Sequence, residues 1–411
     1  MTTAVLLALP EHGHLPACLP VAAELCRRGV RVVVYGTPEF QAMIIATGSA
    51  YRDYGAAMRP PPAHEGGLYS VMAYAGGLAE AVLPTLLQEL RELKPDLLLL
   101  DAMCLWGQLA QQVTGTLAVT LAPVFVPHPE HVSDQDLLEQ AYGGANAPVL
   151  VAAMDGLNTY FQQSRRLERQ YGVTCPDLSG FFAGRQKFNV IFTARAFHPG
   201  GAAYGEDYLF AGPQFREEAE AAAELEERLP AGPEPLIYIS LGTIFHDAPA
   251  FYRECLAALG EPWCRVVLAL GERVTPEALG ALPAHWRVAA RWPQRAVLQR
   301  AAAFITHAGM NSATEGLWAG VPLLCVPQHG DQFLVAQQVA GAGAGLVLAP
   351  ESRSAGLLRA SVERVLNEAA FAQGARRMGE QLRAAGGPDG GAARAATAIL
   401  AFVNQARGEG A

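Results

Sequence analysis

The sequence predicts an α/β protein with two doubly wound parallel sheets, and three observations support that class. Residues 4–35 run from a short apolar stretch through an amphipathic helix to a β-branched stretch, the order of a strand–helix–strand unit. The same order returns at residues 302–326, in the second half of the chain. Between the halves, residues 214–235 are charged, rich in alanine and glutamate and closed by prolines, which is typical of a linker. A chain of 411 residues is long enough for about two or three domains.

The composition indicates a compact protein and disfavours several classes of partner. Hydrophobic residues make up 51% of the chain, with 42 glycines, which fits packed α/β layers rather than disorder. The formal net charge of −9 disfavours nucleic acid and anionic membranes as general partners. No apolar run reaches the ~18–20 residues of a membrane span, and no basic stretch precedes the first strand as in a signal peptide. The seven cysteines form no CxxC pair, so we expect reduced thiols and a cytoplasmic location.

In the first half, two predicted strands end in polar side chains. The strand over residues 4–9 leads into a loop that contains His14, and a helix over residues 17–28 follows. The strand over residues 97–100 is closed by Asp101. Ligands of parallel sheets bind beyond the carboxyl ends of the strands, so we expect His14 and Asp101 on the same side of the sheet. The loop lacks a GxGxxG pattern, so a dinucleotide fingerprint is absent.

The rest of the first half contains one segment with an ambiguous motif. The pattern predicts further helices near 38–48, 78–93 and up to 113, and further strands at 30–35, 117–121 and 189–193. Residues 123–148 are irregular and are interpreted as a loop and helix segment. Asp134-Gln135-Asp136 has the spacing of a DxD metal signature, but it follows no strand. Short patterns of this kind recur by chance, so no metal is expected there.

The second half repeats the alternation of strands and helices. Strands are predicted at 236–241, 266–270, 303–305 and 323–326, and a last helix at 392–405 follows a glycine-rich hinge. The predicted organisation is a first domain at 1–213, a linker at 214–235, a second domain at 236–385 and a C-terminal helix at 386–411.

The stretch after the strand at 303–305 carries the strongest signal for a ligand. Gly309 lies where a helix begins, and the backbone N–H groups of a helix N-terminus attract anions such as phosphate. Asn311 and Ser312 add side-chain donors, and Glu315 lies one turn deeper on the face of Asn311, where a carboxylate suits the vicinal hydroxyls of a ribose. Asp331-Gln332 opens the next helix and could bind the hydroxyls of a sugar.

The string THAGMNSATEGLWAGVPLLCVPQHGDQ, at residues 306–332, resembles the donor site of nucleotide-sugar-dependent glycosyltransferases of the GT-B fold. More narrowly, it resembles the macrolide glycosyltransferase group of the UDP-glycosyltransferase superfamily, with weaker matches from residue 4 to about 350. The resemblance implies two Rossmann-like domains facing a cleft, an acceptor-binding one first and a nucleotide-sugar-binding one second. It also implies that the C-terminal helix crosses back to pack on the first domain.

The same resemblance assigns donor contacts. Thr243, in the intact SLGT turn, and His307 would contact the diphosphate, and the Asp331-Gln332 pair would hold sugar hydroxyls. Trp292-Pro293-Gln294 resembles the segment that holds the base, with Gln294 at the base or ribose. The family commonly carries its aromatic two residues before the proline, where this chain has Arg291, so either Arg291 or Trp292 could stack on the base. Where relatives have DQxxNA the chain has DQFLVA, so valine replaces the asparagine.

His14 is the candidate general base. The stretch GHLPACLP resembles the family's GHVNPTLP, whose histidine is the base, and departs from it at Pro16 and Ala17, which alters the helix start. An imidazole with an unperturbed pKa of about 6.5 suits the removal of a proton from an acceptor hydroxyl. Asp101 would hold the tautomer of that imidazole and stabilise its protonated form.

We therefore expect an inverting O-glycosyltransferase that moves a hexose, glucose above all, to a hydroxyl of a small hydrophobic natural product. The expected co-substrate is UDP-glucose, with TDP-sugars open, and no cofactor or metal is expected because Thr243, His307, Ser312 and the helix N-terminus stabilise the leaving diphosphate. The protein would act as a monomer or homodimer. Two alternatives remain: a nucleotide-sugar 2-epimerase, which would need carboxylates around the sugar ring, and a non-catalytic activating partner, which would have lost these polar groups.

Overall fold

The computed structural model describes residues 2–58, 67–128, 132–135, 137–138, 147–215, 221–242, 249–328, 330–349, 353–387 and 389–408. The chain forms two compact units. The first comprises Met1–Phe192, Gly200–Phe215 and Gly386–Ala411, and the second comprises Thr193–Pro199 and Arg216–Ala385. The predicted linker, 214–235, is divided between the units, with residues 214–215 in the first and 216–235 in the second, and the segment 193–199 lies in the second unit.

Each unit contains one parallel sheet. The first sheet has seven strands in the order β3-β2-β1-β4-β5-β6-β7, and the second has six in the order β10-β9-β8-β11-β12-β13. The strands are β1 Thr3–Leu7, β2 Arg31–Gly36, β3 Ala50–Asp53, β4 Leu97–Asp101, β5 Ala118–Ala122, β6 Phe188–Ile191, β7 Tyr208–Phe210, β8 Leu236–Ser240, β9 Arg265–Ala269, β10 Trp286–Ala289, β11 Ala303–Thr306, β12 Leu323–Cys325 and β13 Gly345–Val347.

Helices connect most consecutive strands, because parallel pairing needs a long crossover connection, whereas β6–β7 and β9–β10 are joined by segments with a short 3₁₀ turn. The described helices are α1 Leu15–Arg27, α2 Gln41–Ile45, α3 Gly67–Leu93, α4 Leu105–Thr114, α5 Ala147–Tyr171, α6 Leu178–Ala183, α7 Ala221–Arg228, α8 Pro249–Leu259, α9 Gln294–Leu298, α10 Met310–Trp318, α11 Gln332–Gly341, α12 Ala355–Asn367, α13 Ala369–Gly386 and α14 Gly391–Gly408. The expected fold class, two doubly wound α/β domains, is confirmed.

Two hydrophobic layers cover the faces of the first sheet. Leu98 and Leu100 of β4 pack with α3 and α4 on one face. Leu97 and Leu99 pack with α1 and α14 on the other. This division follows from strand geometry, because successive side chains point to opposite faces, and it explains why β4 is apolar throughout.

Helix α14 completes the first unit although it comes last in the chain. Its buried side chains are Ala395, Ala396, Ile399 and Val403. Arg28, at the end of α1, donates to Thr397 Oγ1 over 2.7 Å. Arg407 pairs with Asp96 over 2.6 Å, just before β4.

Helix α3 is the one described helix that is long and apolar enough to cross a membrane by length and composition alone. It has 27 residues, and an 18-residue window in it has a mean hydropathy of 1.3. The expectation that no apolar stretch reaches this length therefore needs correction. Half of the window is buried inside the protein, as in the core helix of a folded domain, so the feature is weak evidence for a membrane span.

In each sheet, the order of the strands along the sheet reverses at one pair of neighbouring strands. In the first sheet, β1 lies between β2 and β4, and in the second, β8 lies between β9 and β11. Such switch points leave a crevice beyond the carboxyl ends of the strands. In the second unit Ser240 pairs with Thr306, so the turns after β8 and β11 start side by side.

Several elements differ from the sequence-based expectations. The linker at 214–235 contains helix α7, and the 25-residue helix α5 follows the segment interpreted as irregular. The strands β3, β7, β10 and β13 were not predicted. All seven cysteines are free thiols, and five of them are buried.

Candidate active site and nucleotide-sugar site

His14 and Asp101 meet at the switch point of the first sheet. The His14 Nδ1 atom lies 2.9 Å from Asp101 Oδ2. Asp101 is fully buried and the His14 residue is 8% exposed. An ionised carboxylate can only accept, so the proton of a neutral His14 lies on Nδ1 and Nε2 is left as the basic nitrogen.

The local sequence explains how His14 is presented. His14 is the residue immediately before α1, and Pro16 lies in the first turn of that helix. A proline is tolerated there because the first N–H groups of a helix have no partner within it. The departure from the family pattern at Pro16 and Ala17 is therefore compatible with a helix that starts directly after His14.

Backbone amides fix the Asp101 carboxylate. Leu9 N–H donates to Oδ2 over 3.2 Å, and Met103 N–H donates to Oδ1 over 3.1 Å. These bonds compensate the cost of burying a charge and hold both oxygens in place. Burial, and then the charge of Asp101, raise the pKa of the Cys18 and Cys104 thiols, so neither thiol competes with His14 as a base.

In the second unit, the predicted anion site lies at the turn from β11 to α10. Ala308 has a φ of 61° there, in the left-handed region, and its N–H donates to Thr306 Oγ1 over 3.2 Å. Gly309 is the residue before the helix and has no side chain to accept from the amides of the first turn. Those N–H groups and the helix dipole therefore suit a phosphate.

The His307 ring fills the space beside this turn. A Cβ atom on Gly242 would lie 2.6 Å from His307 Cε1, and one on Gly309 would lie 2.3 Å from Nε2. Burial lowers the pKa of His307 to about 4, although the nearby Ser240 backbone raises this pKa by a smaller amount. The ring is thus neutral at pH 7, and its Nδ1 is buried without a hydrogen-bond partner among the described residues. His307 therefore offers an anion a neutral hydrogen-bonding group rather than a charge.

Gln294, Ser312 and Glu315 form one hydrogen-bonded cluster. Gln294 Nε2 donates to Glu315 Oε2 over 2.7 Å and to Ser312 Oγ over 3.3 Å. An amide has two N–H donors, so both hydrogens of Gln294 are directed at protein atoms. Tyr238, from β8, donates its hydroxyl proton to Gln294 Oε1 over 3.3 Å. Sequence reasoning placed Gln294 directly on the base or ribose and missed Tyr238.

The two candidates for stacking on the base differ in their surroundings. Trp292 Nε1 donates to Leu268 O over 3.1 Å, and the Arg228 guanidinium lies 4.6 Å above the indole ring. Arg291 forms an exposed ion pair with Glu272 over 2.9 Å. Trp292 is thus the more firmly held of the two, and one of its faces is already covered by Arg228.

The remaining residues predicted to bind the nucleotide sugar differ in their surroundings. Asp331 is exposed immediately before α11, whereas Gln332 is 6% exposed and its Oε1 accepts from Gln328 N–H over 2.8 Å. Val335 is fully buried, which explains an apolar residue where relatives have asparagine. Thr243 lies outside the described residues.

One aspartate of the DxD pattern has a structural role. Asp134 Oδ1 accepts from Ser179 N–H over 2.8 Å, in the first turn of α6. Asp136 lies outside the described residues. In the described part of the chain, no three histidine, cysteine, aspartate or glutamate side chains cluster as metal ligands.

Comparison with known proteins defines the class. CalG4, the calicheamicin glycosyltransferase, has the same fold over 99% of both chains, with a TM-score of 0.80 and 25% identity. The glycosyltransferase of kitacinnamycin superposes with a TM-score of 0.79 and 26% identity over 97% of this chain and 98% of the other. The fold is therefore that of the GT-B glycosyltransferases.

Sequence relatives define the family. Residues 253–396 match the model described as erythromycin biosynthesis protein CIII-like, C-terminal domain. The chain is 30% identical to NDP-glycosyltransferase YjiC of Bacillus licheniformis over 405 residues, 96% of each chain. It is also 30% identical to oleandomycin glycosyltransferase of Streptomyces antibioticus, over 96% of this chain and 90% of that protein. The protein belongs to the macrolide-type glycosyltransferases of the UDP-glycosyltransferase superfamily, which confirms the resemblance of its donor motif.

Proposed function

We propose that this glycosyltransferase is an inverting O-hexosyltransferase. It would move a hexose, with glucose expected, from a nucleotide diphosphate to a hydroxyl of a small hydrophobic natural product. The observation that carries the proposal is the 2.9 Å contact between His14 Nδ1 and the buried Asp101 carboxylate, which leaves Nε2 as a base. The names of relatives, oleandomycin glycosyltransferase among them, support a natural-product acceptor.

The reaction would proceed in one displacement. His14 Nε2 takes the proton of the acceptor hydroxyl while its oxygen forms a bond to the anomeric carbon. The bond from that carbon to the diphosphate breaks on the opposite face, and its electron pair leaves with the phosphate oxygen. The Asp101 carboxylate stabilises the imidazolium that results, as in a triad without its nucleophile.

The leaving diphosphate would be stabilised by the second unit. The first-turn amides of α10, the Ser312 hydroxyl, Thr243 and the neutral His307 ring supply hydrogen bonds where negative charge develops. Glu315 would hold the ribose hydroxyls, and the exposed Asp331 the hydroxyls of the sugar. This set of donors supports a reaction that needs no metal ion or cofactor.

Product analysis tests the proposal against its two alternatives. The protein is incubated with UDP-glucose or TDP-glucose and a panel of phenols and macrolide aglycones, and the products are identified by mass and by the NMR coupling of the anomeric proton. We expect a β-glycoside, because inversion of an α-linked donor gives the β anomer. An α-glycoside would contradict the single displacement. An epimerised sugar nucleotide would support the 2-epimerase, which the comparisons do not favour, and no product would support an activating partner.

A further inference from the structure

We propose that Tyr238 is a positioning residue for the nucleotide sugar, acting through Gln294 on the Glu315 carboxylate. The inference rests on the proposed role of Glu315 in binding ribose. Tyr238 lies inside β8 and is 1% exposed, so it can reach a ligand only through another side chain. Its ring stacks on Phe304 of β11 with centroids 5.0 Å apart and an interplanar angle of 17°.

The stacked ring places the hydroxyl at one fixed point. Because Phe304 is fully buried and lies on the neighbouring strand, the two rings have little freedom to move relative to the sheet. From that point the Tyr238 hydroxyl donates to Gln294 Oε1 over 3.3 Å. Burial and stacking hold the Tyr238 ring in place without any contact to the ligand. Its hydroxyl is therefore a suitable donor to Gln294.

The amide of Gln294 has only one favourable orientation in this cluster. A carboxylate cannot donate, so the NH₂ group must face Glu315, at 2.7 Å, and the carbonyl oxygen must face Tyr238. A flipped amide would bring its carbonyl oxygen against the carboxylate. The Glu315 carboxylate therefore fixes the direction of the amide, and the Tyr238 hydroxyl, which donates to its carbonyl oxygen, holds the other end of the amide in place.

The consequence concerns substrate binding rather than the chemical step. A carboxylate that accepts two vicinal hydroxyls must be held in one rotamer, and Gln294 supplies that restraint. The Ser312 hydroxyl, which accepts from the same Nε2 over 3.3 Å, is directed by the same amide. Loss of the Tyr238 hydroxyl should weaken ribose binding in ground and transition states alike, and so raise KM with little change in kcat.

The test compares Tyr238→Phe with Tyr252→Phe. Both remove one hydroxyl from a buried tyrosine of the second unit, but Tyr252 lies in α8 and packs in a hydrophobic layer that contains neither Tyr238 nor Phe304. Calorimetric titration measures the affinity for UDP and for 2′,3′-dideoxy-UDP, and for TDP and 3′-deoxy-TDP if the enzyme prefers thymidine nucleotides. We expect Tyr238→Phe to weaken UDP binding about threefold to tenfold and to leave dideoxy-UDP binding unchanged. Tyr252→Phe should change neither affinity.

A double-mutant cycle tests whether the effect runs through Gln294. Gln294→Leu alone should weaken UDP binding at least as much as Tyr238→Phe, and adding Tyr238→Phe in that background should have no further effect. Additive losses, or an equal loss for UDP and dideoxy-UDP in Tyr238→Phe, would overturn the positioning role. If the wild-type protein already binds the hydroxylated and deoxygenated nucleotides equally, the ribose assignment of Glu315 in the proposed function is itself wrong.

Discussion

At the scale of single residues, His14 has the most direct test. Removal of a positioned general base lowers rates by about 10²–10⁴, so His14→Ala should lower kcat by that factor. Donor affinity, which in the proposed function depends on the second unit, should remain close to wild type. Asp101→Asn should also lower kcat, because an amide cannot offset the charge of the ring and its NH₂ group would face one of the N–H donors that bond the carboxylate. Steady-state kinetics and calorimetric titration with the nucleotide give the two quantities.

The acceptor supplies the control for that experiment. A nitrophenol that is ionised at the assay pH needs no base, so it should be partly rescued in His14→Ala, whereas an aliphatic alcohol should not. Equal losses for both acceptors, with an unchanged circular dichroism spectrum, would mean that His14 positions the substrate rather than taking its proton.

The lowered pKa of His307 should make the stability of the second unit depend on pH. Burial holds its pKa at about 4, whereas an unfolded histidine titrates near ~6.5. As the pH falls from ~6.5 towards 4, the unfolded chain takes up this proton and the folded chain does not, so the free energy of unfolding decreases. At ~1.4 kcal/mol per pKa unit, the part of this loss that His307 causes between pH 7 and 4.5 should be about 2–3 kcal/mol, in addition to a similar part from the buried His198 of the same unit, whose pKa burial also lowers to about 4. Urea unfolding at both pH values should show a smaller loss in His307→Asn, and an equal loss would contradict the assignment.

At the scale of elements, the turns after β8 and β11 each contain a glycine, Gly242 and Gly309, that leaves room for the His307 ring, and Gly343, outside these turns, serves as a control. Gly242 has a φ of 82°, and a Cβ there would lie 2.6 Å from His307. Gly343 has a φ of 63°, but a Cβ there would meet nothing within 4 Å. Gly242→Ala and Gly343→Ala should therefore both lose about 1 kcal/mol or more of stability from backbone strain. Only Gly242→Ala should displace His307 and weaken UDP binding, and equal nucleotide affinities in the two variants would show that the ring has no part in the site.

The central strands were predictable because burial on both faces leaves a simple apolar run, as in β1, β4 and β8. The missed strands are short and mixed in character: β3 reads AYRD and β10 reads WRVA. Helix α7 was concealed because its alanines and glutamates fit a charged linker as well as a helix, although both residue types favour helices.

The sequence motifs predicted which side chains lie near each switch point. They did not predict which hydrogen bonds those side chains make with one another. His14 lies in the loop after β1 and Asp101 ends β4, and the pairing of these adjacent parallel strands brings them together. The bonds from Tyr238 to Gln294 and from Gln294 to Glu315 join residues 56 and 21 positions apart. No local pattern records such a contact, because it depends on how the side chains pack after the sheet has formed.

At the scale of the whole molecule, the expected reaction requires no divalent ion. Amides of α10 and the hydroxyl and imidazole groups around it would take the place of a metal at the leaving diphosphate. Turnover measured in EDTA should therefore be nearly unchanged. A loss that magnesium or manganese restores would contradict this prediction and would direct attention to Asp134 and Asp136.

Helix α14 should stabilise the first unit without affecting the nucleotide site. Ile399 is fully buried in the layer that α14 forms with α1, so Ile399→Ala should cost about 2–5 kcal/mol. Phe402, partly buried at the edge of the same layer, should tolerate truncation better. Thermal unfolding and UDP titration of both variants separate the two effects, and a weaker nucleotide affinity in Ile399→Ala would show that α14 acts beyond its own unit.

The position of α14 in the chain also bears on how the protein is made. The ribosome synthesises the entire second unit, residues 216–385, before it reaches the helix that covers α1 and the inner face of β4. Throughout that interval the part of the α1 surface that packs on α14 remains uncovered, although α1 can already pack on β1 and β2, and the second unit can fold as it emerges. Chaperones that bind nascent chains would therefore be needed during this interval. Slow translation of residues 216–385 would prolong the exposure of the first unit to aggregation.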